Sequence, residues 1–275
     1  MDFAGKIIVI TGAGSGLGQC LALQLGQSGA TVACVDYDES LLRETIALLE
    51  EQSTPCSEHL ADISDPDAIA ALVAEIDAVH GGFDGLVNNA GIMQSMTDVS
   101  ALAIEEIQRI TQVNYWGMVM LVKACLPILE QRERALILNI SSLGSLVPFP
   151  GQTAYSASKA AVRIFSEGLS EELRESSVDV AVVMPGAMNT GIVQNSPFVA
   201  DQAKEKLQAL SKIPGIALTA DRAARKILSA ARRGRSRIVL GGDAWVLEKC
   251  YRVAPVTTIR LLHLTTRSMR EDLRS

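Results

Sequence analysis

A chain of 275 residues, 48% apolar and 20% charged, can build a full core; it has neither the composition of a disordered segment nor a short-period repeat. No apolar run reaches the roughly 18 residues of a membrane span, because the longest, Gly117 to Leu129, is interrupted by Lys123 and Pro127. The net charge of −6 is uneven: the first 220 residues carry 12 Lys/Arg against 26 Asp/Glu, and those from Asp221 onward carry 13 against five.

The chain opens with Met1-Asp2-Phe3-Ala4-Gly5-Lys6 and passes straight into an apolar run, without the basic, apolar and small-residue regions of a signal peptide, so the cytoplasm is the expected compartment. Short β-branched runs follow at Lys6–Thr11, Thr31–Asp36, Cys56–Asp62, Asp84–Asn89, Ala135–Ser141, Val178–Met184 and Arg237–Leu240. Amphipathic stretches such as Leu41–Glu50, Ala68–Val79 and Ala160–Arg174 lie between them. Strands alternating with helices predict an α/β fold: a doubly wound, seven-stranded parallel sheet with helices on both faces. A single domain is expected over 1–242, including an irregular substrate loop at about 187–218, with a helical extension at 243–275. Cys20, Cys34, Cys56, Cys125 and Cys250 are odd in number, far apart and without a C-x-x-C pair, and the three histidines lack ligand spacing. Free thiols and no metal site are predicted.

Between the first run and the first helix stands Thr11-Gly12-Ala13-Gly14-Ser15-Gly16-Leu17-Gly18. Glycines there let the backbone approach a pyrophosphate, and the helix N-terminus offers free N–H groups and partial positive charge, as in a Rossmann-type turn. Asp36 closes the second strand about 20 residues further on, where a carboxylate accepts from the adenosine ribose hydroxyls and repels a 2′-phosphate. No Lys or Arg occurs in the loop or among Asp36-Tyr37-Asp38, so NAD is expected over NADP.

Tyr155-Ser156-Ala157-Ser158-Lys159 opens a helix, and the four-residue spacing puts Tyr155 and Lys159 on one face. A free tyrosine titrates near about 10; a nearby ammonium, with the positive nicotinamide of NAD⁺, is expected to lower that value and make Tyr155 the acid/base.

The ordered set of T-G-x-x-x-G-x-G, Asn88-Asn89-Ala90-Gly91, Asn139-Ile140-Ser141-Ser142, Y-x-x-x-K and Pro185-Gly186 resembles the short-chain dehydrogenase/reductase family, from about Phe3 to Leu240. The resemblance implies that Ser142 hydrogen-bonds the substrate oxygen and that Asn114 interrupts a helix and links Lys159 through water to solvent. It implies that Lys159 also holds the nicotinamide ribose, that Asp62, with Ile63 beside it, faces the adenine amine, and that Asn89, Ala90 and Gly91 lie under the cofactor. Pro185 and Gly186 are expected at the cofactor too, and Thr190 at the carboxamide. The implied activity is hydride transfer between the nicotinamide and an alcohol or carbonyl carbon, as an alcohol dehydrogenase or carbonyl reductase. A catalytically silent dinucleotide sensor or regulator is the alternative, which the intact serine, tyrosine, lysine and asparagine disfavour.

Met93, Met96, Leu143, Leu146, Val147, Phe149, Met188, Ile192, Val193 and Phe198 are the candidate lining residues; their apolar character points to a hydrophobic secondary alcohol or ketone. No basic cluster near them suits a phosphorylated substrate. Nucleic acid is not expected as a partner, because the basic excess lies in the tail and lacks interleaved aromatics; a homo-oligomer, dimer or tetramer, is. On a helix after Pro255 the residues Arg260, His263, Arg267 and Arg270 share one stripe. That tail can pack on the acidic body or a sister subunit, cover the site as a lid, or lie on a membrane surface; packing on protein is the expectation.

Overall fold

A computed structural model describes residues 1–189, 196–197 and 218–274, with side chains described through Met188, at 196–197 and from 218 to 264. Its strands are β1 (Ile7–Thr11), β2 (Thr31–Asp36), β3 (Cys56–Leu60), β4 (Gly85–Asn88), β5 (Ala135–Ile140), β6 (Val178–Pro185), the two-residue β7 (Met188–Asn189) and β8 (Leu218–Thr219), and β9 (Arg237–Leu240). Seven of them form one parallel sheet in the order β3-β2-β1-β4-β5-β6-β9, while β7 and β8 pair separately. The central strands are apolar because both faces are covered, whereas β3 at the sheet edge carries Ser57, Glu58 and His59. Along β1, Ile8 and Ile10 enter one core and Val9 enters the other.

The helices are α1 (Gly16–Gln27), α2 (Glu39–Glu51), α3 (Pro66–His80), α4 (Ile104–Thr111), α5 (Met118–Leu129), α6 (Thr153–Glu172), α7 (Ala220–Arg232), α8 (Gly242–Val253) and α9 (Pro255–Arg274). Residues of α1, α2 and α7 build the first core, and residues of α3, α5 and α6 build the second. Local chemistry sets the starts: Asp38 accepts from the N–H groups of Ser40 and Leu41, and Asp65 caps α3 ahead of Pro66. No helix among the described residues is long and apolar enough to cross a membrane.

Several boundaries differ from expectation. The third strand ends at Leu60 rather than Asp62, because the Asp62 carboxylate accepts from the Ser64 N–H (2.9 Å) and turns the chain. The helix expected to open at Tyr155 starts two residues earlier, at Thr153. The tail holds a separate helix, α8, ahead of the one that begins at Pro255.

The chain winds outward in opposite directions from the neighbouring strands β1 and β4. Their C-terminal ends therefore border the crevice where doubly wound sheets bind ligands.

Candidate active site

The glycine-rich loop leaves β1 at that crevice. Gly12 has φ +65°, and a Cβ on Gly18 would stand 1.9 Å from the Gly12 carbonyl oxygen, so the loop folds on itself only with glycine there. Thr11 and Asn89 lock it to β4: Thr11 Oγ1 accepts from the N–H groups of Asn89 (3.1 Å) and Ala90 (3.2 Å), and Asn89 Nδ2 donates to the carbonyls of Thr11 (3.0 Å) and Gly12 (3.1 Å). The loop then enters α1 at Gly16, with Ser15 as its N-cap and Leu17 buried.

Asp36 is buried at the end of β2, where one carboxylate oxygen accepts from the Gly14 N–H (2.8 Å) and the other from the Asp38 N–H (3.1 Å). Burial raises its pKa, and the hydrogen bonds from Gly14, Asp38 and Tyr37 counter that shift. Asp36 thus also holds the glycine loop, in addition to the ribose contact expected of it. Asp62 pairs with Arg109 (2.9 Å). Against the upward push of burial, Ser64 and Arg109 hold its carboxyl below the usual range. The carbonyl of Ile63, next to Asp62, lies so close to Gly117 that a Cβ there would stand 2.6 Å from its oxygen.

Ser142, Tyr155, Lys159 and Asn114 converge from three elements. Ser142 follows β5 and accepts from the Gly144 N–H (3.1 Å), and its hydroxyl lies close enough to that of Tyr155, in the first turn of α6, to lower the phenol's pKa against the push of burial. Lys159, one turn on, is buried and donates to the Ile140 carbonyl (3.1 Å); its Nζ lies 6.0 Å from the centre of the Tyr155 ring. Asn114 sits in a π-helical turn, Gln112–Gly117, between α4 and α5. Its Oδ1 accepts from the Ile92 N–H (2.8 Å), while Nδ2 donates to the Ile92 carbonyl (3.0 Å) and Ser158 Oγ (3.1 Å). A Cβ on Gly91 would lie 3.1 Å from both Asn114 Oδ1 and Lys159 Nζ, so glycine lets the strand end pass between them.

The electrostatics of the Tyr155 and Lys159 pair are set by burial. Burial pushes the Tyr155 hydroxyl above the ordinary phenol value, with the nearby Ser142 hydroxyl offsetting part of the push. Burial also pulls Lys159 down to about 8. Within the protein's own groups desolvation outweighs the help of the Ser142 hydroxyl; the lowering expected of Tyr155 draws on the positive nicotinamide as well.

Pro185 ends β6, and Gly186 donates to the Leu240 carbonyl (2.8 Å). Thr190 lies outside the described residues, as do Ile192, Val193 and Phe198. Leu143, Leu146, Val147 and Phe149 form an apolar cluster with Ala244, Leu247, Tyr251 and Leu262 of the tail helices. Met188 packs instead against the core of the α1 face. Met96 Sδ accepts from Gln152 Nε2 (2.9 Å), and the Met93 N–H donates to Ser196 Oγ (2.7 Å).

Three residues at the site escaped the sequence reading. Gln94 is fully buried; its Oε1 accepts from the N–H groups of Ala154 (2.8 Å) and Tyr155 (3.2 Å), and its Nε2 donates to the Gly151 carbonyl (2.9 Å). It supplies the cap that α6 lacks locally. Arg109 reaches the Asp62 carboxylate and lowers the pKa of Tyr37 against burial and acidic neighbours that raise it. Asp243 accepts from the Ala187 N–H (2.9 Å), its carboxylate seated against Gly186. Only the buried register of Gln94 and a carboxylate at the start of a helix would have been available as signals, and neither names a partner.

The short chain dehydrogenase family model matches residues 6–198. The putative oxidoreductase SadH of Mycobacterium tuberculosis is 34% identical over 264 residues, covering 95% of each chain. A short-chain dehydrogenase/reductase from Burkholderia phymatum, solved in complex with NAD, superposes with a TM-score of 0.85 at 26% identity, covering 92% of this chain and 94% of that one. A metagenomic short-chain oxidoreductase in complex with NADP superposes with a TM-score of 0.72 at 27% identity, covering 88% and 99%. With the sheet order and the clustered motifs, these matches establish that the chain belongs to the short-chain dehydrogenase/reductase family and is an oxidoreductase of that type.

Proposed function

We propose that this oxidoreductase uses NAD in preference to NADP and acts on a hydrophobic secondary alcohol or the matching ketone, with Tyr155 as its acid/base. The observation that carries the reading is the convergence of the Ser142 hydroxyl, Tyr155 and buried Lys159, whose Nζ stands 6.0 Å from the Tyr155 ring centre. The crevice suits a dinucleotide: glycines 12, 14, 16 and 18 leave backbone and a helix N-terminus facing it, and Asp36 lies at the strand end. When bound, the nicotinamide supplies the carbon that exchanges hydride and a positive charge in its oxidised form.

The residues then divide the work. In oxidation Tyr155 takes the proton of the substrate hydroxyl, and in reduction it returns one to the carbonyl oxygen. Ser142 donates a hydrogen bond to the same oxygen and stabilises the charge that develops there. Lys159 places a cation next to the phenol and holds the nicotinamide ribose, while Asn114 fixes the backbone beside that lysine. Gly12, Gly14, Ser15, Gly16, Leu17 and Gly18 hold the pyrophosphate, with Asp36 on the ribose and Asp62 with Ile63 at the adenine. Asn89, Ala90, Gly91, Pro185, Gly186 and Thr190 flank the nicotinamide half. The apolar cluster around Leu143, Val147, Leu247 and Tyr251 supports the hydrophobic substrate class.

A screen of apolar secondary alcohols, read as NADH absorbance, tests the reading. Tyr155→Phe should lose at least about 100-fold in kcat while binding NAD as before. Retention of more than about a tenth of wild-type turnover would sink the assigned chemistry, and equal or better kcat/KM with NADP would sink the cofactor preference.

A further inference from the structure

The tail helices have an outer face that the catalytic reading leaves unused. Of the fourteen large apolar side chains exposed among the described residues, six fall between 245 and 264. At about 100° per residue, Trp245, Val246, Lys249, Arg252 and Val253 occupy one arc of α8, away from Ala244, Leu247 and Tyr251, which face the body. On α9, Val256, Arg260 and Leu264 recur at four-residue steps, while Thr258 is buried and Leu262 joins the apolar cluster inside. Trp245 is 58% exposed, Val253 87%, Val256 60% and Leu264 66%.

The charge on this face has one sign. Between Ala244 and Leu264 the sole acidic residue is Glu248. It is buried and paired with Arg237 (2.9 Å) and Arg252 (3.1 Å). Lys249, Arg252 and Arg260 are the exposed charges, and Lys249 Nζ stands 5.9 Å from the Trp245 ring centre.

We propose that this face lies on an anionic lipid surface. An apolar stripe interspersed with cations and carrying a tryptophan is the composition of a helix that rests in the headgroup region without crossing it. An anionic bilayer supplies the apolar medium and the negative charge together. A second copy docked through the same patch would set Lys249, Arg252 and Arg260 against their own equivalents, with no exposed carboxylate from this stretch to offset them. The first 220 residues net −14 and residues 1–243 still net −9, despite seven Lys/Arg between 222 and 237, so an anionic surface attracts the tail face and on balance repels the body. The inner sides of the same helices contact Leu143 and Val147, just past Ser142. A docked enzyme would therefore present the apolar wall of its site close to the bilayer; this consequence rests on the proposed substrate class, and the docking does not.

Co-sedimentation of the full chain with phosphatidylcholine vesicles, with and without phosphatidylglycerol, tests the proposal without reference to turnover. Binding is expected to the anionic vesicles, weakening with added salt and accompanied by a blue shift of tryptophan emission that Trp245→Phe removes. Each cation near an anionic surface contributes a factor of about five, so Lys249→Glu with Arg260→Glu should reduce binding more than about ten-fold. Trp245→Ser with Val256→Asp should do the same through the apolar side. These positions are exposed, so both variants should keep the wild-type thermal midpoint. Absence of binding to anionic vesicles, or equal binding by the variants, overturns the proposal. So does concentration-dependent self-association without vesicles that the same substitutions abolish, which would assign the face to a second copy.

Discussion

Lys159 shows how one buried group couples the site to stability. Its folded-state pKa of about 8 lies below the value near 10.4 of an unfolded lysine. Below pH 8 both states are charged and the folded state bears the full desolvation cost. Between about 8 and 10.4 the unfolded chain binds more protons, so this group's contribution to stability rises with pH. Thermal midpoints measured from pH 7 to 10 should show wild type gaining on Lys159→Met across that window. A difference that does not change with pH would contradict the assignment. The comparison isolates the lysine, because thiols raised by burial, such as Cys125 at about 12, are common to both proteins. Asp36 makes a related point: its spacing from the glycines was legible, while its bond to the Gly14 N–H depends on how the loop folds back.

Helix α6 must present Tyr155 in its first turn, where backbone N–H groups have no helical partner. Its N-cap, Gln152, makes no side-chain cap hydrogen bond. Gln94, some 60 residues earlier, supplies the acceptor for Ala154 and Tyr155. Gln94→Leu should lower kcat by about ten-fold or more with little change in NAD affinity, because a misplaced catalytic group costs steeply. It should also cost about 1 kcal/mol of stability as a lost cap. Gln94→Glu retains the acceptor and should recover part of kcat. Stopped turnover assays and NAD titration of the two variants decide it; equal losses in both would point to general disruption. The helix itself was legible from its apolar period, and its start to within two residues, but its cap was not, because it comes from another segment.

On the scale of the whole molecule, a chain of charges joins the tail to the site. Arg252 and Arg237 meet on Glu248, Arg237 reaches Glu167 (3.2 Å), and Arg163 bridges Glu167 (2.9 Å) to the Ser145 carbonyl (3.2 Å) behind Ser142. Glu248 is buried, so its removal leaves cations without their partner. Glu248→Ala should cost about 2 kcal/mol or more, lowering the thermal midpoint by roughly 4–8 °C. Arg43→Ala, which breaks the exposed pair with Glu39, should change it by less than about 1 kcal/mol. Calorimetry on both separates the cases, and equal effects would contradict the role given to burial.

Element types, strand order class and the glycine, Ser142 and Tyr155/Lys159 motifs were written in the sequence, because hydrophobic period, turn residues and fixed spacings act over a few neighbours. The tertiary structure alone decided that Arg109 stands on Asp62, that Gln94 caps α6, and that the tail turns Leu247 and Tyr251 inward and Trp245 and Val253 outward. It also decided how strongly burial acts on Tyr155 and Lys159, since desolvation depends on everything packed around a group. Contacts between residues far apart in the chain leave no periodic trace, and burial is a property of the assembled core.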